Sequence, residues 1–197
     1  MPYLGAYMNW LVGLPGLQSD KTLFDGMFSD ARFARFSRLA LDLFGDDLEE
    51  QARGVLHHLD EKGITHFSIV GHSLGGMVGT LLLDRAPDRV RSLVSLEGNL
   101  TLEDCGASRT LETPRARSIL RWSESGDLAR IFREAPQPKV LLVGEKSHFR
   151  SRPPETVLIP GAGHFLLRDN PEAVYAAVDH FFLESALPSS LKISLNP

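Results

Sequence analysis

The sequence predicts an α/β fold, with a mostly parallel sheet of about six strands and helices on both of its faces. Short apolar runs alternate along the chain with longer amphipathic segments, and this alternation is typical of strands joined by helices. The runs are apolar at nearly every position, as expected of strands covered on both faces. No repeat or long linker divides the 197 residues, so we expect a single domain over residues 1–197.

Several segments have the composition of buried strands, being short, apolar and rich in β-branched residues. They are residues 7–12, 37–43, 64–70, 90–96, 139–143 and 156–159. The first is expected to end at the turn-forming sequence GLPG (residues 13–16). Because no basic residue precedes Lys21, we interpret the apolar start of the chain as this buried strand and not as a signal peptide.

Two segments carry clear helix patterns. Residues 47–62 place apolar side chains at steps of three and four, with acidic residues in the first turn and Gly63 just past the end. The last helix is expected to begin at Asn170 as N-cap, with Pro171 at its first position and Glu172 in its first turn. A further helix is expected after the glycine-rich sequence described below.

The connection from Glu97 to Pro138 is longer than a simple crossover between strands. It contains helix-like stretches at residues 115–121 and 128–133, so we predict a small helical lid at residues 98–138. In open α/β sheets ligands bind at the carboxyl ends of the strands, where this lid would lie. Its apolar residues suit equally well the lining of a ligand pocket and packing onto the core. They are Leu100, Leu102, Ile119, Leu120, Trp122, Leu128, Ile131 and Phe132.

The sequence GHSLGG (residues 71–76) lies between a predicted strand and a predicted helix. A G-x-S-x-G pattern in this context is typical of a sharp turn that presents a nucleophilic serine, here Ser73. The glycines around the serine leave space where side chains would collide. The hydroxyl would lie at the positive end of the following helix. The pattern therefore indicates a nucleophile, with an incidental serine in a glycine-rich turn as the alternative.

A serine hydroxyl needs a base to remove its proton, and the chain has seven histidines. His164 follows the last predicted strand in the glycine-lined loop PGAGHF (residues 160–165). An imidazole there would lie above the same sheet edge as Ser73. The other histidines lie in helices, in a strand, in a polar loop or on the serine turn itself. This placement favours His164 as the general base.

GHSLGG after a strand, PGAGHF after the last strand and NPEAV at the start of the last helix resemble the α/β-hydrolase family, most closely its lid-bearing esterases and carbon–carbon bond hydrolases. The resemblance implies that Ser73 is the nucleophile and His164 the base. It also implies an oxyanion hole made by the backbone N–H groups of Leu74 and Leu14. Val12 stands where the family commonly has a histidine, which removes a loop-anchoring side chain but no backbone donor.

The acid of the triad is left open among three residues. In many members of the family an aspartate follows the penultimate strand, but here Ser147 stands at that place, in the sequence GEKS. The family has another solution, an acid just after the strand that follows the nucleophile helix, and Glu97 occupies that place. We favour Glu97, whose carboxylate would hold His164 in the required tautomer, over Glu145 and Asp104.

The chain looks trimmed when compared with the family pattern. Extra strands usually precede the one that ends near Val12, and the sequence after Asp42 lacks the usual glycine-rich pattern D-x-P-G-x-G-x-S. The segment between Gly144 and Thr156 is too short for a full helix. We expect these losses to affect stability and the shape of the substrate site more than the triad.

Composition argues against several classes of function. A formal net charge of -4 and the lack of a basic stretch argue against a nucleic-acid partner, and no apolar run is long enough for a membrane span. No histidine, acid or cysteine spacing suits a metal site, and no glycine-rich loop suits a nucleotide, so we expect no cofactor. Cys105 is the only cysteine, which fits a reducing compartment such as the cytoplasm.

These features predict a serine hydrolase that cleaves a small ester through an acyl-enzyme. Thioesterase, carbon–carbon hydrolase and cofactor-free perhydrolase activities use the same machinery and stay open. A different class of function also stays open, that of a ligand-binding protein with this fold and little or no turnover. Ser147 in place of the aspartate and the trimmed start of the chain are the features that suggest this alternative.

Overall fold

The computed structural model describes residues 9–186, which contain one sheet in which every pair of neighbouring strands is parallel. The strands are β1 (Trp10–Leu14), β2 (Ser37–Ala40), β3 (Phe67–His72), β4 (Val90–Leu96), β5 (Lys139–Gly144) and β6 (Thr156–Ile159). Their order in the 6-stranded sheet is β2-β1-β3-β4-β5-β6. The predicted parallel α/β sheet is confirmed.

Helices connect the strands and cover the sheet. In the described part of the chain they are α1 (Asp25–Ser29), α2 (Leu48–Glu61), α3 (Leu74–Arg85), α4 (Pro114–Ser125), α5 (Asp127–Glu134), α6 (Leu166–Asp169) and α7 (Pro171–Ala186). Short 3₁₀ helices lie at Lys21–Phe24, Ala31–Phe33, Leu102–Asp104 and Ala107–Thr110. Within residues 9–186, none of the helices has the length and apolar composition needed to cross a bilayer.

Each face of the sheet has its own hydrophobic core, because successive side chains of a strand point to opposite faces. On one face Val12 and Ile69 pack with buried side chains of α2, α3, α4 and α5. On the other face Leu11 and Val70 pack with buried side chains of α1 and α7. The prediction of helices on both faces is confirmed.

The first strand ends later than the sequence pattern predicts. β1 continues through Gly13 and Leu14, whereas the GLPG sequence predicts an end at Val12. Gly13 packs against the ring of Phe24, and a Cβ atom at Gly13 would lie 2.8 Å from that ring. This glycine therefore allows close packing inside a strand and does not form a turn. Residues 7 and 8 of the predicted strand lie outside the described residues.

Two further boundaries differ from the sequence pattern. β2 ends at Ala40 instead of residue 43. β3 begins at Phe67 instead of Ile64 and continues through His72, so the strand runs into the GHSLGG sequence. The short helices between residues 21 and 33 were not predicted, because no apolar periodicity marks segments of this length.

The segment between β4 and β5 contains α4 and α5, at the places of the two predicted helical stretches. The hydroxyl of Thr113 caps the start of α4, and Gly126, with a φ of 77°, separates the two helices. The buried apolar side chains of this segment belong to the same core as α3. They are Leu100, Ile119, Leu128, Ile131 and Phe132. Packing onto the core therefore accounts for most of the apolar residues in this segment.

Candidate active site

Ser73 lies on the sharp turn between β3 and α3 and has a φ of 51° and a ψ of -113°. A residue other than glycine rarely adopts such angles, and the strain is typical of functional turns. The glycines beside it are required, because a Cβ atom at Gly71 would collide with the backbone of Gly75, and one at Gly75 with the carbonyl of Leu14. The turn therefore holds Ser73 at the carboxyl edge of the sheet, before the positively polarised start of α3.

Glu97 follows β4 directly, and its side chain is 0% exposed. Its Oε2 atom lies 2.6 Å from Nδ1 of His164, which lies in the loop after β6. Because Nδ1–H donates to the carboxylate, the basic nitrogen of the neutral imidazole is Nε2. The side chain of His164 is 30% exposed. The imidazole ring therefore connects a fully buried acid with a solvent-accessible space.

The Glu97 carboxylate accepts hydrogen bonds at both oxygens. Oε1 accepts from the N–H of Gly144 at 2.8 Å, and Oε2 accepts from the hydroxyl of Ser147 at 2.8 Å in addition to His164. Glu97 also has a φ of 51°, a second strained residue at the same edge of the sheet. A buried carboxylate needs such donors to stay ionised, so the surroundings of Glu97 suit an anion.

Glu145 and Asp104, the two alternatives for the acid, have other partners. Glu145 is exposed and accepts from the N–H of Gly161 at 2.9 Å. Asp104 is 1% exposed and accepts from backbone N–H groups of two loops. These are the groups of Leu100, Thr101, Arg150 and Ser151. Glu97 is the carboxylate that the structure brings to His164.

His72, the residue before Ser73, is 2% exposed. Its Nε2–H donates to the backbone carbonyl of His164 at 2.9 Å. Burial, followed by the nearby imidazole of His164, lowers the pKa of His72 to about 4, so the ring is uncharged at neutral pH. Its other side lies against Gly16, where a Cβ atom would approach Nδ1 to 2.8 Å. Sequence reasoning gave His72 no role, although it contacts both loops beside Ser73.

Ser73 and His164 line one cavity of about 350 Å³. Its remaining wall combines apolar and polar side chains. The apolar ones are Leu17, Met77, Leu111, Ile119 and Phe165, and the polar ones are Gln18, His72, Asn99, Asp104, Ser108 and His148. Among the described lining residues, Asp104 carries the only carboxylate, and backbone N–H groups occupy its oxygens. The described lining residues include no lysine or arginine, so the cavity suits an uncharged group beside the serine.

The two predicted oxyanion donors have different surroundings. Leu74 is the first residue of α3, so its N–H has no partner within the helix and lies beside Ser73. Leu14 is the last residue of β1, is fully buried and pairs with β3. The cavity is instead lined by Leu17 and Gln18 of the loop that follows β1. Sequence reasoning missed this loop, since its position depends on the later end of β1.

The geometry agrees with a comparison of the sequence against known families. A family model described as alpha/beta hydrolase fold matches residues 10–160. The chain belongs to the α/β-hydrolase family. The matched region includes Ser73 and Glu97 and ends shortly before His164.

Individual members of the α/β-hydrolase family match shorter parts of the sequence. A protein of Azorhizobium caulinodans named for carbamate hydrolysis, RutD, is 36% identical over 61 residues, which are 31% of this chain and 23% of that protein. A RutD protein of Klebsiella pneumoniae is 48% identical over 52 residues, which are 26% of this chain and 19% of that protein. Each match thus spans less than a quarter of the relative.

Solved structures of the α/β-hydrolase family resemble nearly the whole described fold. A thermophilic esterase from Thermogutta terrifontis, with malate bound, matches with a TM-score of 0.73 over 91% of both chains. Its sequence is 16% identical, so this likeness shows the fold alone.

Proposed function

We propose that this protein is a serine hydrolase that cleaves a small ester or a related acyl compound through an acyl-enzyme. The observation that carries the proposal is the contact between Nδ1 of His164 and the buried carboxylate of Glu97, 2.6 Å apart. It leaves Nε2 as the base in a cavity that Ser73 also lines. A nucleophile, a base and a group that orients the base are the three parts of a hydrolytic triad.

The proposed reaction begins with attack of the Ser73 hydroxyl oxygen on the substrate carbonyl, while Nε2 of His164 takes the hydroxyl proton. Glu97 stabilises the imidazolium that forms. The tetrahedral intermediate then expels the alcohol, which leaves with the proton from His164. Water hydrolyses the acyl-enzyme by the same proton transfers, with His164 as base and then as acid.

The negative oxygen of the intermediate needs backbone donors. The N–H of Leu74 is one, because it lies at the start of α3 without a helical partner. The resemblance to the family assigns the second to Leu14, at the end of β1. The loop with Leu17 and Gln18 is a second source for this donor, since it borders the same cavity. Residues 98–138 are proposed as a lid over this site, to which they contribute Leu111 and Ile119.

The cavity supports a small and uncharged acyl group. A volume of about 350 Å³ is near the lower end for ligand sites. Apolar side chains form part of the wall, and the Asp104 carboxylate is occupied by backbone N–H groups. A carboxylate on the acyl group would lose its water here, and the described lining residues include no lysine or arginine to pair with it. A carbamate should be included among the test substrates, because two relatives are named for carbamate hydrolysis.

A fluorophosphonate probe tests the proposal directly. We expect it to label the wild-type protein at Ser73, and to leave Ser73→Ala unlabelled. Turnover is measured with p-nitrophenyl esters of graded acyl length, a hemisuccinate ester and a carbamate ester. Short neutral esters should react faster than the hemisuccinate. A folded protein that is not labelled and turns over none of these compounds would instead support the ligand-binding alternative.

A further inference from the structure

The end of β5 holds the carboxylate of Glu97. The N–H of Gly144 donates to Oε1 at 2.8 Å, and the hydroxyl of Ser147 donates to Oε2 at 2.8 Å. The Ser147 oxygen itself accepts from the N–H of Phe149 at 3.2 Å, which directs the hydroxyl proton to Glu97. One strand end therefore supplies two donors to an acid that belongs to the neighbouring strand.

These two donors fix the orientation of the carboxylate. The last torsion of a glutamate side chain is broad and by itself restricts the two oxygens only weakly. Gly144 and Ser147 each bind one oxygen, and this arrangement aims Oε2 at Nδ1 of His164. The hydroxyl also stabilises the negative charge on Oε2, which reduces the attraction of Glu97 for the imidazole proton.

We propose that Ser147 is a positioning residue, which holds Glu97 in the orientation that His164 needs and moderates its charge. The proposal rests on the proposed function, because it concerns the same base. By the family resemblance an aspartate is missing at position 147. In this chain the residue at that position supports an acid supplied by β4.

Ser147→Ala removes the donor without removing a residue that lines the cavity. We expect kcat to fall about tenfold, as for the loss of one hydrogen bond to a charged group, with KM changed by less than about twofold. The acid limb of the kcat/KM profile should move to higher pH, because Glu97 then attracts the imidazole proton more strongly. Ser147→Thr keeps a hydroxyl and should restore both the rate and the profile.

The acid limb also depends on the other titratable and charged groups around His164. Besides Glu97, these are His72 on β3 and His148 after β5, whose rings lie beside that of His164. Arg168 and Asp169 on α6 lie one step further away, near His72 and on the N–H of Gly163. The substitution at position 147 changes none of them. A displaced acid limb therefore reports the contact between Ser147 and Glu97.

Ser151→Ala is the matched control. Its hydroxyl also donates to a buried carboxylate, that of Asp104, and it lies in the same connection between β5 and β6. Like Ser147→Ala it should lower the melting temperature, since a buried carboxylate loses a donor. It should leave kcat and the acid limb unchanged within about twofold, because Asp104 is not bonded to the base.

A second measurement does not require turnover. The proton on Nδ1 of His164 lies in a short hydrogen bond and should give a proton NMR signal far downfield, which Ser147→Ala should shift and Ser151→Ala should not. An unchanged signal, rate and acid limb in Ser147→Ala, or equal losses in Ser151→Ala, would overturn the proposal. Failure of the wild type to react with any acyl compound contradicts the proposed function, and the NMR comparison then still tests the contact.

Discussion

Two buried carboxylates, Glu97 and Asp104, lie at the same edge of the sheet and differ in their partners. Glu97 is 0% exposed and Asp104 is 1% exposed. Asp104 accepts from backbone N–H groups and hydroxyls of residues 100–101 and 150–151. Glu97 accepts from one N–H, one hydroxyl and the imidazole of His164.

The difference shows that burial and full hydrogen bonding do not identify a catalytic acid. The donors to Asp104 keep their protons at neutral pH, so this carboxylate can only join the segment after β4 to the loop after β5. One donor to Glu97 is an imidazole, whose other nitrogen can act as a general base. The chemistry of the donors therefore separates a structural carboxylate from a candidate catalytic one.

The largest expected effect concerns Ser73, because Glu97 can act as a catalytic acid only if Ser73 is the nucleophile. Ser73→Ala should lower kcat for esters about 10³-fold or more, because no other hydroxyl replaces the nucleophile. The melting temperature should stay near that of the wild type, since alanine differs only by one oxygen. Steady-state kinetics of the purified variant check this, and turnover at the wild-type rate would mean that Ser73 is not the nucleophile.

The next effect compares the two carboxylates directly. Glu97→Gln should lower kcat about 10²-fold to 10⁴-fold with little change in KM, because an amide does not stabilise the imidazolium. Asp104→Asn should instead lower the free energy of unfolding by about 3 kcal/mol, since several N–H donors lose a charged acceptor, and should change kcat much less. Kinetics and denaturant unfolding on both variants measure the two effects.

Glu145→Gln tests the third carboxylate that the sequence offered as the acid of the triad. Glu145 is exposed and bonded to a backbone N–H, so both its rate and its stability should stay close to those of the wild type. A strong loss of kcat in Glu145→Gln, with normal kcat in Glu97→Gln, would move the acid to position 145. A rate loss in Asp104→Asn as large as in Glu97→Gln would mean that Asp104 is not a purely structural carboxylate.

The position of Glu97 can be predicted from the sequence, because the sequence pattern shows where strands end. Apolar runs locate the strands of a parallel sheet, and the strand that ends before Glu97 places this residue at the carboxyl edge of the sheet. The same reasoning does not reveal what Asp104 binds, since Arg150 and Ser151 are distant in sequence. For the same reason β1 is predicted to end too early, because its end depends on packing of Phe24 against Gly13.

Parts of the cavity were also beyond prediction. Leu17 and Gln18 line it, and the sequence does not reveal this because β1 continues into the apparent turn sequence. His72 contacts the loop of His164 and the loop of Gly16, and both contacts join segments that are far apart in the chain. Local patterns predict elements and their ends, whereas contacts between loops need the folded arrangement.

A smaller change in rate should follow from moving the acid from position 97 to position 147, in the loop after β5. Glu97→Gln combined with Ser147→Asp should recover about tenfold in kcat over Glu97→Gln alone, because position 147 reaches the site of Oε2. Ser147→Asp alone should lower activity, since two carboxylates in contact do not both ionise readily. If the folded double variant is no faster than Glu97→Gln, position 147 does not give a carboxylate access to His164.

The last expected effect concerns stability and not rate, and extends the comparison to a third buried titratable group at this edge, which is uncharged. Burial lowers the pKa of His72 to about 4, from about 6.5 in the unfolded chain. Between these values the unfolded state binds more protons than the folded state, so stability is lost as pH falls from about 6.5 to 4. The loss from this group should reach about 3 kcal/mol at pH 4, with 1.36 kcal/mol for each pKa unit.

His72→Gln isolates this contribution from that of the carboxylates, which titrate in the same range. The glutamine amide can still donate toward the His164 carbonyl and carries no titratable proton, so unfolding free energies should fall less steeply between pH 7 and pH 4 than in the wild type. His57→Gln, an exposed position on α2, is the control and should keep the wild-type slope. Equal slopes in wild type and His72→Gln would mean that His72 accepts a proton in the folded state as readily as in the unfolded chain.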